Sequence, residues 1–280
     1  MAGRPAAFRQ NKMADNTRRP EISPAGKLAR RIYDGLRRLP DLPSAYLHPW
    51  RRESMRRLGE LKDSHKGERC FIVGNGPSLK VTDLSKLKNE FSIGSNRIFL
   101  AEEELGFKPS MLLSVNDLVV QQSLEELNAL QMPKFFSWRA CKWIQPDSLT
   151  HFLYTTYTTP SFAKDARGRI WEGGTVTNVA LQLAYHFGFK QVILIGVDHN
   201  YVDKGKPNST VESQGDDPNH FSVKYFGKGF QWQLPDLEAW ENGYRMVREA
   251  YEADGREVLD ATIGGKLQVF KKIDYETLFK

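Results

Sequence analysis

The sequence predicts an α/β fold in which helices flank a mainly parallel sheet. Short apolar runs of strand length recur after Gly67, and stretches with helical spacing lie between several of them. Strands that alternate with helices are typical of parallel sheets, because each crossover places a helix on a face of the sheet. In such sheets ligands bind beyond the carboxyl ends of the strands, so the residues that follow each strand are the first candidates for a site.

Six apolar runs have the length and composition of buried strands. They are Cys70–Val73, Phe91–Gly94, Met111–Val115, Lys134–Trp138, Val192–Val197 and Glu257–Leu259. Helical spacing is found over Leu118–Leu130, Thr175–Phe187 and Leu237–Ala253. Gly188 would end the second of these helices as its C-cap. We therefore expect a Rossmann-like domain over residues 67–280, in which the polar stretch Tyr201–Asp217 forms a flexible loop and a candidate lid.

The charge of the chain is concentrated near its N-terminus. The 280 residues carry a net charge of +6, but residues 1–65 hold 15 Lys or Arg against 7 Asp or Glu, a net of +8. The basic character therefore does not belong to the predicted domain, which argues against a nucleic-acid-binding protein. Two cysteines without a CxxC pair argue against a disulfide scaffold or a zinc site. With no apolar signal segment in the first residues, we expect a cytoplasmic protein.

The N-terminal part divides into a polar tail, residues 1–26, which we expect to be disordered, and a basic helical extension, residues 27–66. Over Lys27–Leu39 the apolar residues fall on one helical stripe and the arginines lie largely off it. One interpretation is a helix packed on its own domain with solvated arginines, and we favour it slightly. The other is a helix in peripheral contact with an anionic membrane, at the inner membrane face.

The first strand ends in GNGPSL, which contains Gly74, Asn75, Gly76, Pro77 and Ser78. It lacks the third glycine of a dinucleotide fingerprint and the GK[ST] of a Walker A loop. The proline also removes one backbone N–H that could bind phosphate. One interpretation is that glycines without a Cβ let the backbone approach a base, a ribose or a single phosphate. The other is an ordinary strand-to-helix turn capped by the serine.

The next two strand ends carry amide side chains. Ser95 and Asn96 follow the second strand, and Asn116 and Asp117 follow the third. Each asparagine alone is a normal turn residue. An amide both donates and accepts hydrogen bonds, however, so three strand ends with asparagine favour a nucleobase or a sugar as ligand.

Three residues at a predicted helix start, Gly173, Gly174 and Thr175, offer free backbone N–H groups at the positive end of the helix dipole. We favour an anion site there over a simple threonine cap.

Candidate catalytic residues follow the most apolar strand and lie in the stretch DPNHFSVKYFGKGFQW. Asp198 could bind Mg²⁺, act as a base, hold a sugar hydroxyl or simply cap a helix. Histidine is the side chain whose unperturbed pKa lies closest to neutral pH, so His220 is the best candidate for a general acid or base. Lys224 and Lys228 would neutralise a phosphate leaving group, and Tyr225 lies beside them.

Six motifs follow one another in a fixed order over residues 67–270: GNGPSL, the second strand end with asparagine, VND, the Gly/Thr helix start, ILIGVD and NHF. This ordered set resembles the MptE-like family, which is named for archaeal 6-hydroxymethylpterin diphosphokinases and looks related to flagellin-glycosylation accessory proteins. A second likeness is to bacterial sialyltransferases that use CMP-sialic acid, which share GNGPSL, a similar asparagine-bearing strand end and a GxD after a strand.

The sialyltransferase likeness implies roles for eight residues. Those that would line the nucleotide site are Asn75, Gly76, Pro77 and Ser78; those that would contact nucleotide or sugar are Asn96 and Asn116; those near the phosphate are Gly174 and Thr175. Those transferases carry a catalytic histidine four residues after the histidine of a His-aromatic pair, where this chain has Lys224. Tyr201 and Tyr225 are candidates for their phosphate-binding tyrosines. The diphosphokinase likeness implies that Asp117 and Asp198 bind Mg²⁺ and that ATP is the donor.

Together these observations predict a nucleotide-dependent transferase. We favour a glycosyltransferase without a metal cofactor, which uses a nucleotide-sugar donor and a glycan or glycolipid acceptor in surface-glycan assembly, with His220 or Asp198 as base. The alternatives are an Mg²⁺-dependent diphosphokinase that transfers diphosphate from ATP to a pterin-like alcohol, and a catalytically silent nucleotide-binding partner. None of the three requires nucleic acid.

Overall fold

The computed structural model describes residues 23–202 and 205–280. Of the predicted disordered tail, residues 1–22 lie outside the described part, as do residues 203–204 of the predicted loop. The chain divides into two compact units, one that ends at Arg38 and one that runs from Leu39 to Lys280. In the first unit the described chain forms one helix, α1 (Pro24–Arg38).

The second unit begins with two helices, α2 (Leu42–Leu47) and α3 (Pro49–Leu61). Proline stands in the first turn of each, where its missing N–H costs no hydrogen bond. Within the unit, the Ser54 hydroxyl of α3 accepts a 2.9 Å bond from the backbone N–H of Phe152. Although the sequence analysis placed them in the basic extension, both helices are thus part of the compact unit that carries the sheet.

The described residues form eleven strands. In chain order they are β1 (Arg69–Val73), β2 (Ser92–Ser95), β3 (Met111–Ser114), β4 (Lys134–Ser137), β5 (Thr150–Thr156), β6 (Arg169–Trp171), β7 (Gln191–Ile195), β8 (Thr210–Glu212), β9 (Gln231–Gln233), β10 (Glu257–Asp260) and β11 (Lys271–Lys272). Nine of them form one parallel sheet in the order β11-β10-β7-β1-β2-β3-β4-β5-β6, and β8 and β9 form an antiparallel pair. The α/β, Rossmann-like prediction is confirmed, and each predicted strand is present to within two residues.

Five further helices connect the strands: α4 (Leu100–Leu105), α5 (Asp117–Gln122), α6 (Leu124–Ala129), α7 (Val176–Phe187) and α8 (Leu237–Ala253). Short 3-10 helices cover Leu39–Asp41, Pro77–Val81, Leu84–Leu87, Trp138–Lys142 and Tyr275–Phe279. The single helix predicted over Leu118–Leu130 is divided into α5 and α6, because Ser123 leaves the helical conformation. In the described part of the chain, no helix has the length and apolar content that crossing a bilayer requires.

The apolar core covers both faces of the sheet. Alternate residues of a strand point to opposite faces, so Cys70 and Ile72 pack with one apolar cluster and Phe71 and Val73 with the other. This arrangement explains why the strands are continuous apolar runs.

Helix α7 is buried from Thr177 to Phe187, so its polar side chains need partners inside the protein. His186 meets this need: its Nε2 lies 2.8 Å from the Leu58 carbonyl oxygen, and its Nδ1 accepts a 3.2 Å bond from the backbone N–H of Ala166. Burial lowers the pKa of this histidine and thereby favours the neutral ring.

The stretch Tyr201–Asp217 is not a structureless loop, because β8 lies within it and pairs with β9. The sequence did not predict this strand pair, because each strand has only three residues, with one apolar side chain between two polar ones. The lid role of the stretch stays a prediction.

The strand order changes direction between β1 and β7. From β1 the chain adds β2 to β6 on one side, then returns to place β7, β10 and β11 on the other. A crevice opens at such a switch point, beyond the carboxyl ends of the two strands.

Candidate functional site

A pocket that encloses about 1140 Å³, open solvent at its mouth included, lies at this switch point. Twelve residues that the sequence predicted for the site line it: Gly74, Asn75, Gly76, Ser95, Asn96, Asn116, Gly174, Thr175, Asp198, Tyr201, His220 and Tyr225. Six other predicted residues are not among its lining: Pro77, Ser78, Asp117, Gly173, Lys224 and Lys228. The fold thus brings together most of the strand-end residues, from segments that are far apart in the sequence.

The glycines of GNGPSL have a packing role in the structure. The backbone N–H of Gly74 donates to Ile195 at 2.8 Å, and that of Gly76 donates to the Gly196 carbonyl at 2.9 Å. A Cβ on Gly74 would lie 2.3 Å from the Gly196 oxygen, and a Cβ on Gly76 would lie 1.7 Å from Asp198 Oδ2. The missing side chains therefore let the ends of β1 and β7 approach each other.

Ser78 completes this interlock. Its hydroxyl donates to Asp198 Oδ2 at 2.7 Å and its backbone N–H donates to Oδ1 at 3.1 Å. The N–H groups of Gly74, Gly76 and Ser78 are thus all used within the protein, and Pro77 has none. These three N–H groups are therefore not free to bind a phosphate, and Asn75 supplies the polar side chain of the turn that lines the pocket.

Asp198 is held between the two strand ends. Burial raises the pKa of this carboxyl, the hydrogen bonds from Ser78 oppose the shift, and the charge of Asp260 adds to it. Ser78 thus occupies one acceptor site on each oxygen of Asp198 and fixes the orientation of the carboxylate.

Asn75 leaves one polar atom without a partner. Its Nδ2 donates to the carbonyl and the hydroxyl of Ser95, at 2.9 and 3.0 Å. The side chain lines the pocket and the residue is only 8% exposed, yet Oδ1 has no hydrogen-bond partner among the residues that the structure describes. A buried acceptor without a partner is costly, so the site favours a ligand that offers a hydroxyl or an N–H there.

The other two strand-end asparagines have structural roles as well. Asn96 takes a left-handed conformation with φ of 51°, which asparagine tolerates better than most residues, and its Oδ1 accepts a 3.2 Å bond from the Ser114 hydroxyl. The Asn116 side chain caps α5 by accepting from the N–H groups of Leu118 and Val119, at 3.0 and 3.2 Å. Both still lie on the pocket wall.

Asp117 is part of an ion-pair network. Both of its oxygens accept from Arg139 Nε, at 3.2 and 3.0 Å, and Arg139 Nη1 also bonds Glu172 at 2.8 Å. Burial disfavours the charged guanidinium, but the two carboxylates outweigh this cost and raise the pKa of Arg139. In the described ranges, no three His, Cys, Asp or Glu side chains gather as metal ligands. Because Asp117 is paired in this way, its donor set does not fit a resident Mg²⁺, and its role as a ligand stays a prediction.

His220 has a carboxylate partner that the sequence analysis did not identify. Its Nδ1 lies 2.7 Å from Oδ2 of Asp217, which is buried, and its ring stacks on Tyr225 at 3.8 Å between ring centroids. We assign the tautomer from this contact: Nδ1–H donates to the carboxylate, which leaves the Nε2 lone pair available. A histidine oriented in this way can take a proton from a hydroxyl.

The segment that carries His220 is anchored to two strand ends. The N–H of Phe221 donates to the Asn75 carbonyl at 2.8 Å. The buried guanidinium of Arg97 donates to the carbonyl oxygens of Lys224, at 2.8 Å, and Tyr225. Arg97, which follows β2, therefore positions the segment.

Lys224 itself faces away from the pocket. Its Nζ lies 3.7 Å from Glu103, and the side chain is 60% exposed. Neither Lys224 nor Lys228 is part of the described pocket wall, and their contact with a leaving phosphate stays a prediction.

The start of α7 is shaped by close packing. The Thr175 hydroxyl caps the helix by accepting from the N–H of Thr177 at 3.3 Å. A Cβ on Gly174 would lie 2.9 Å from Trp240 Nε1, and one on Gly173 would lie 2.7 Å from Asn178 Nδ2. Trp240 lines the pocket, and its buried Nε1 donor has no hydrogen-bond partner in the described part of the chain.

The described pocket wall is rich in amides and aromatic rings and contains no Lys or Arg. Several of its residues were not predicted: Asn208, Gln231, Gln233, Trp240 and Tyr244. Of these, the two glutamines flank Trp232 in β9, and the two aromatic residues lie four apart on α8. This spacing gives them one helix face, but it does not show which face would line a pocket.

Comparisons with known proteins give one family. The family model "6-hydroxymethylpterin diphosphokinase MptE-like" matches residues 50–204. No curated protein matches the chain. Among solved structures, the chain is similar to the one titled "Structure of MAf glycosyltransferase from Magnetospirillum magneticum AMB-1", with 16% sequence identity and a TM-score of 0.47. That match covers 91% of this chain but only 43% of the other, and a likeness at this level carries no argument about function.

Proposed function

The chain belongs to the MptE-like family, and from this premise we propose that it is a nucleotide-dependent transferase, specifically a glycosyltransferase with a nucleotide-sugar donor. The family is named for a diphosphokinase, an enzyme that transfers a group from a nucleotide, which supports a transferase-like role. We further propose that the acceptor is a glycan or glycolipid hydroxyl in surface-glycan assembly.

The observation that carries the proposal is the contact between Asp217 and His220, of which His220 lines the pocket. In the proposed step, Nε2 of His220 takes the proton of the acceptor hydroxyl, and the oxygen of that hydroxyl bonds to the anomeric carbon of the donor sugar. The bond from that carbon to the phosphate oxygen breaks, and its electron pair leaves with the nucleotide. Asp217 keeps the ring in the correct tautomer and stabilises the imidazolium that forms.

The pocket chemistry supports a sugar or a nucleoside as ligand. Amide side chains pair with hydroxyls and base edges as both donors and acceptors, and aromatic rings bury the less polar faces of such ligands. Asn75 Oδ1 offers an acceptor and Trp240 Nε1 a donor, and both are buried and unpartnered. A ligand with complementary groups would satisfy both atoms.

The residues of the pocket wall favour glycosyl transfer over ATP-dependent diphosphate transfer. Phosphoryl transfer is catalysed mainly by cations that stabilise the charged phosphates. The described pocket wall has neither Lys nor Arg, and Asp117 is paired with Arg139. The diphosphokinase nevertheless gives a distinct result in one experiment.

That experiment is a thermal shift of the purified protein with CMP, UDP, GDP or ATP, each with and without Mg²⁺. A ligand at 100 times its Kd adds about 2.7 kcal/mol to the free energy of unfolding, which raises the Tm by several degrees. Stabilisation by CMP, UDP or GDP without Mg²⁺ is expected and identifies the donor to use in turnover assays. Stabilisation by ATP only with Mg²⁺ would refute the proposal and favour the diphosphokinase.

Turnover then separates the enzyme from a silent partner. His220→Ala should reduce kcat by about 10²–10⁴, and Asp217→Asn should also reduce it because the carboxylate no longer selects the tautomer. Lys224→Ala changes a neighbouring exposed side chain and should leave kcat within about threefold, as for a surface substitution. Equal activity of His220→Ala and Lys224→Ala would exclude His220 as the base, and nucleotide binding without turnover would favour the silent partner.

A further inference from the structure

Helix α1 separates apolar and basic side chains onto opposite faces. Leu28, Ile32 and Leu36 are spaced four residues apart and form one stripe. All basic residues of the helix lie on the other side: Lys27, Arg30, Arg31, Arg37 and Arg38. Because Asp34 is the only acidic residue of α1, the helix carries a net charge of +4.

The apolar stripe is exposed. Leu28, Ile32 and Leu36 keep 59%, 57% and 60% of their surface accessible, and Tyr33 beside them keeps 59%. Single exposed apolar residues are common, but a continuous row on one helix face marks an interaction surface. A helix of this length is also marginal in water by itself, so a surface that buries the stripe would stabilise it.

The charge pattern selects the partner. A basic helix with a strongly segregated apolar face has the chemistry of a helix that lies in the plane of a membrane interface. Its leucines would reach the acyl chains while Lys and Arg pair with anionic headgroups, which each basic residue near the surface favours about fivefold. In a dimer formed through the same stripe, the arginines would gain no such partner and would repel each other.

We propose that α1 is a membrane-docking helix that binds the interface of bilayers rich in anionic lipid, with Leu28, Ile32 and Leu36 inserted. The proposal is independent of the transferase assignment. The exposed stripe supports the membrane interpretation over the one that the sequence slightly favoured, a helix packed on its own domain with solvated arginines.

The test is sedimentation of the full chain with vesicles of phosphatidylcholine, alone or mixed with phosphatidylglycerol. We expect binding to the mixed vesicles and little to phosphatidylcholine alone. Leu28→Gln with Leu36→Gln should lower the partition coefficient about 30-fold or more, because two inserted side chains become polar. Val81→Gln with Val223→Gln is the matched control, since both valines are exposed apolar residues of the second unit; its binding should match the wild type.

A second pair of variants tests the electrostatic contribution to vesicle binding. Arg30→Gln with Arg31→Gln should lower binding to mixed vesicles by about 30-fold. Lys80→Gln with Lys88→Gln removes the same charge from exposed positions of the second unit and should have little effect.

Several results would overturn the proposal: equal binding to both kinds of vesicle, wild-type binding by the leucine double variant, or equal losses in the control variants. If the wild type binds no vesicles but is a dimer by light scattering, and the leucine double variant is a monomer, a second copy covers the stripe instead.

Discussion

Replacing Gly76 with alanine should destabilise the protein strongly, even though the new side chain is a single methyl group. The Cβ would lie 1.7 Å from Asp198 Oδ2 and 2.9 Å from the Gly196 carbonyl oxygen. Neither atom can move freely, because the carboxylate is held by Ser78 and the carbonyl belongs to the backbone that follows β7. The clash must therefore break the contact between the ends of β1 and β7.

The size of the effect follows from the bonds that would be lost. Asp198 accepts two hydrogen bonds from Ser78, at 2.7 and 3.1 Å. A hydrogen bond to a charged group contributes about 1.5–3 kcal/mol, so the loss of both would cost about 3–6 kcal/mol. In a domain of this size each kcal/mol shifts the Tm by about 2–4 °C, and we expect a fall of about 6 °C or more.

The assay is thermal and urea unfolding of the ligand-free variant, with Gly59→Ala as the control. Gly59 lies inside α3, and a Cβ there would meet its nearest neighbour at 3.7 Å, an ordinary contact distance. Alanine in a helix interior is favoured over glycine by about 0.5–1 kcal/mol, so this variant should be slightly more stable than the wild type.

A Gly76→Ala protein with wild-type Tm and urea midpoint would refute the interlock. If such a variant kept its stability and lost only nucleotide binding, the glycine would serve ligand approach, as the sequence alone had suggested. The same comparison thus decides between the two interpretations of GNGPSL.

Three further predictions concern single side chains. Because burial lowers the pKa of His186, this histidine binds a proton more readily in the unfolded chain, so the urea midpoint should fall as the pH drops below about 6.5. His186→Gln should make the urea midpoint depend less on pH, and an unchanged dependence would contradict the neutral state of the buried ring. Burial raises the pKa of the Cys70 thiol, so a thiol reagent should label Cys70 only after unfolding. Labelling of Cys70 in the native protein would show that the core opens. Trp240→Phe keeps the ring but removes the unpartnered donor, so nucleotide-sugar affinity should fall about 5- to 30-fold, the equivalent of one hydrogen bond, with little change in Tm; equal affinity would show that Nε1 does not contact the ligand.

The strands could be read from the sequence because a parallel sheet buries them on both faces, which leaves continuous apolar runs. Their carboxyl ends could then be aligned by topology alone, which is why most strand-end residues were correctly placed around one pocket. The strands β5 and β6 were missed because Thr, His and Arg interrupt their apolar residues. Burial of these polar side chains depends on tertiary partners that local sequence does not show.

The finer roles at the site could not be predicted for the same reason. The partner of Gly76 is Asp198, which lies far along the chain, and a glycine that avoids a carboxylate looks the same in sequence as one that faces a ligand. Asp217 lies three residues before His220, but this spacing alone does not predict their 2.7 Å contact, which lies in a segment that Asn75 and Arg97 anchor. Sequence identified the histidine by its chemistry and could not identify its carboxylate.

The strand order also has a consequence for how the chain is synthesised. β1 ends at Val73 and can pair with β2 soon after it leaves the ribosome, but its other neighbour, β7, begins only at Gln191. At about 5–20 residues per second, one edge of β1 stays open for on the order of ten seconds. An open apolar strand edge invites pairing with other chains, so the nascent protein should depend on chaperones until β7 emerges, and chains truncated before Gln191 should aggregate.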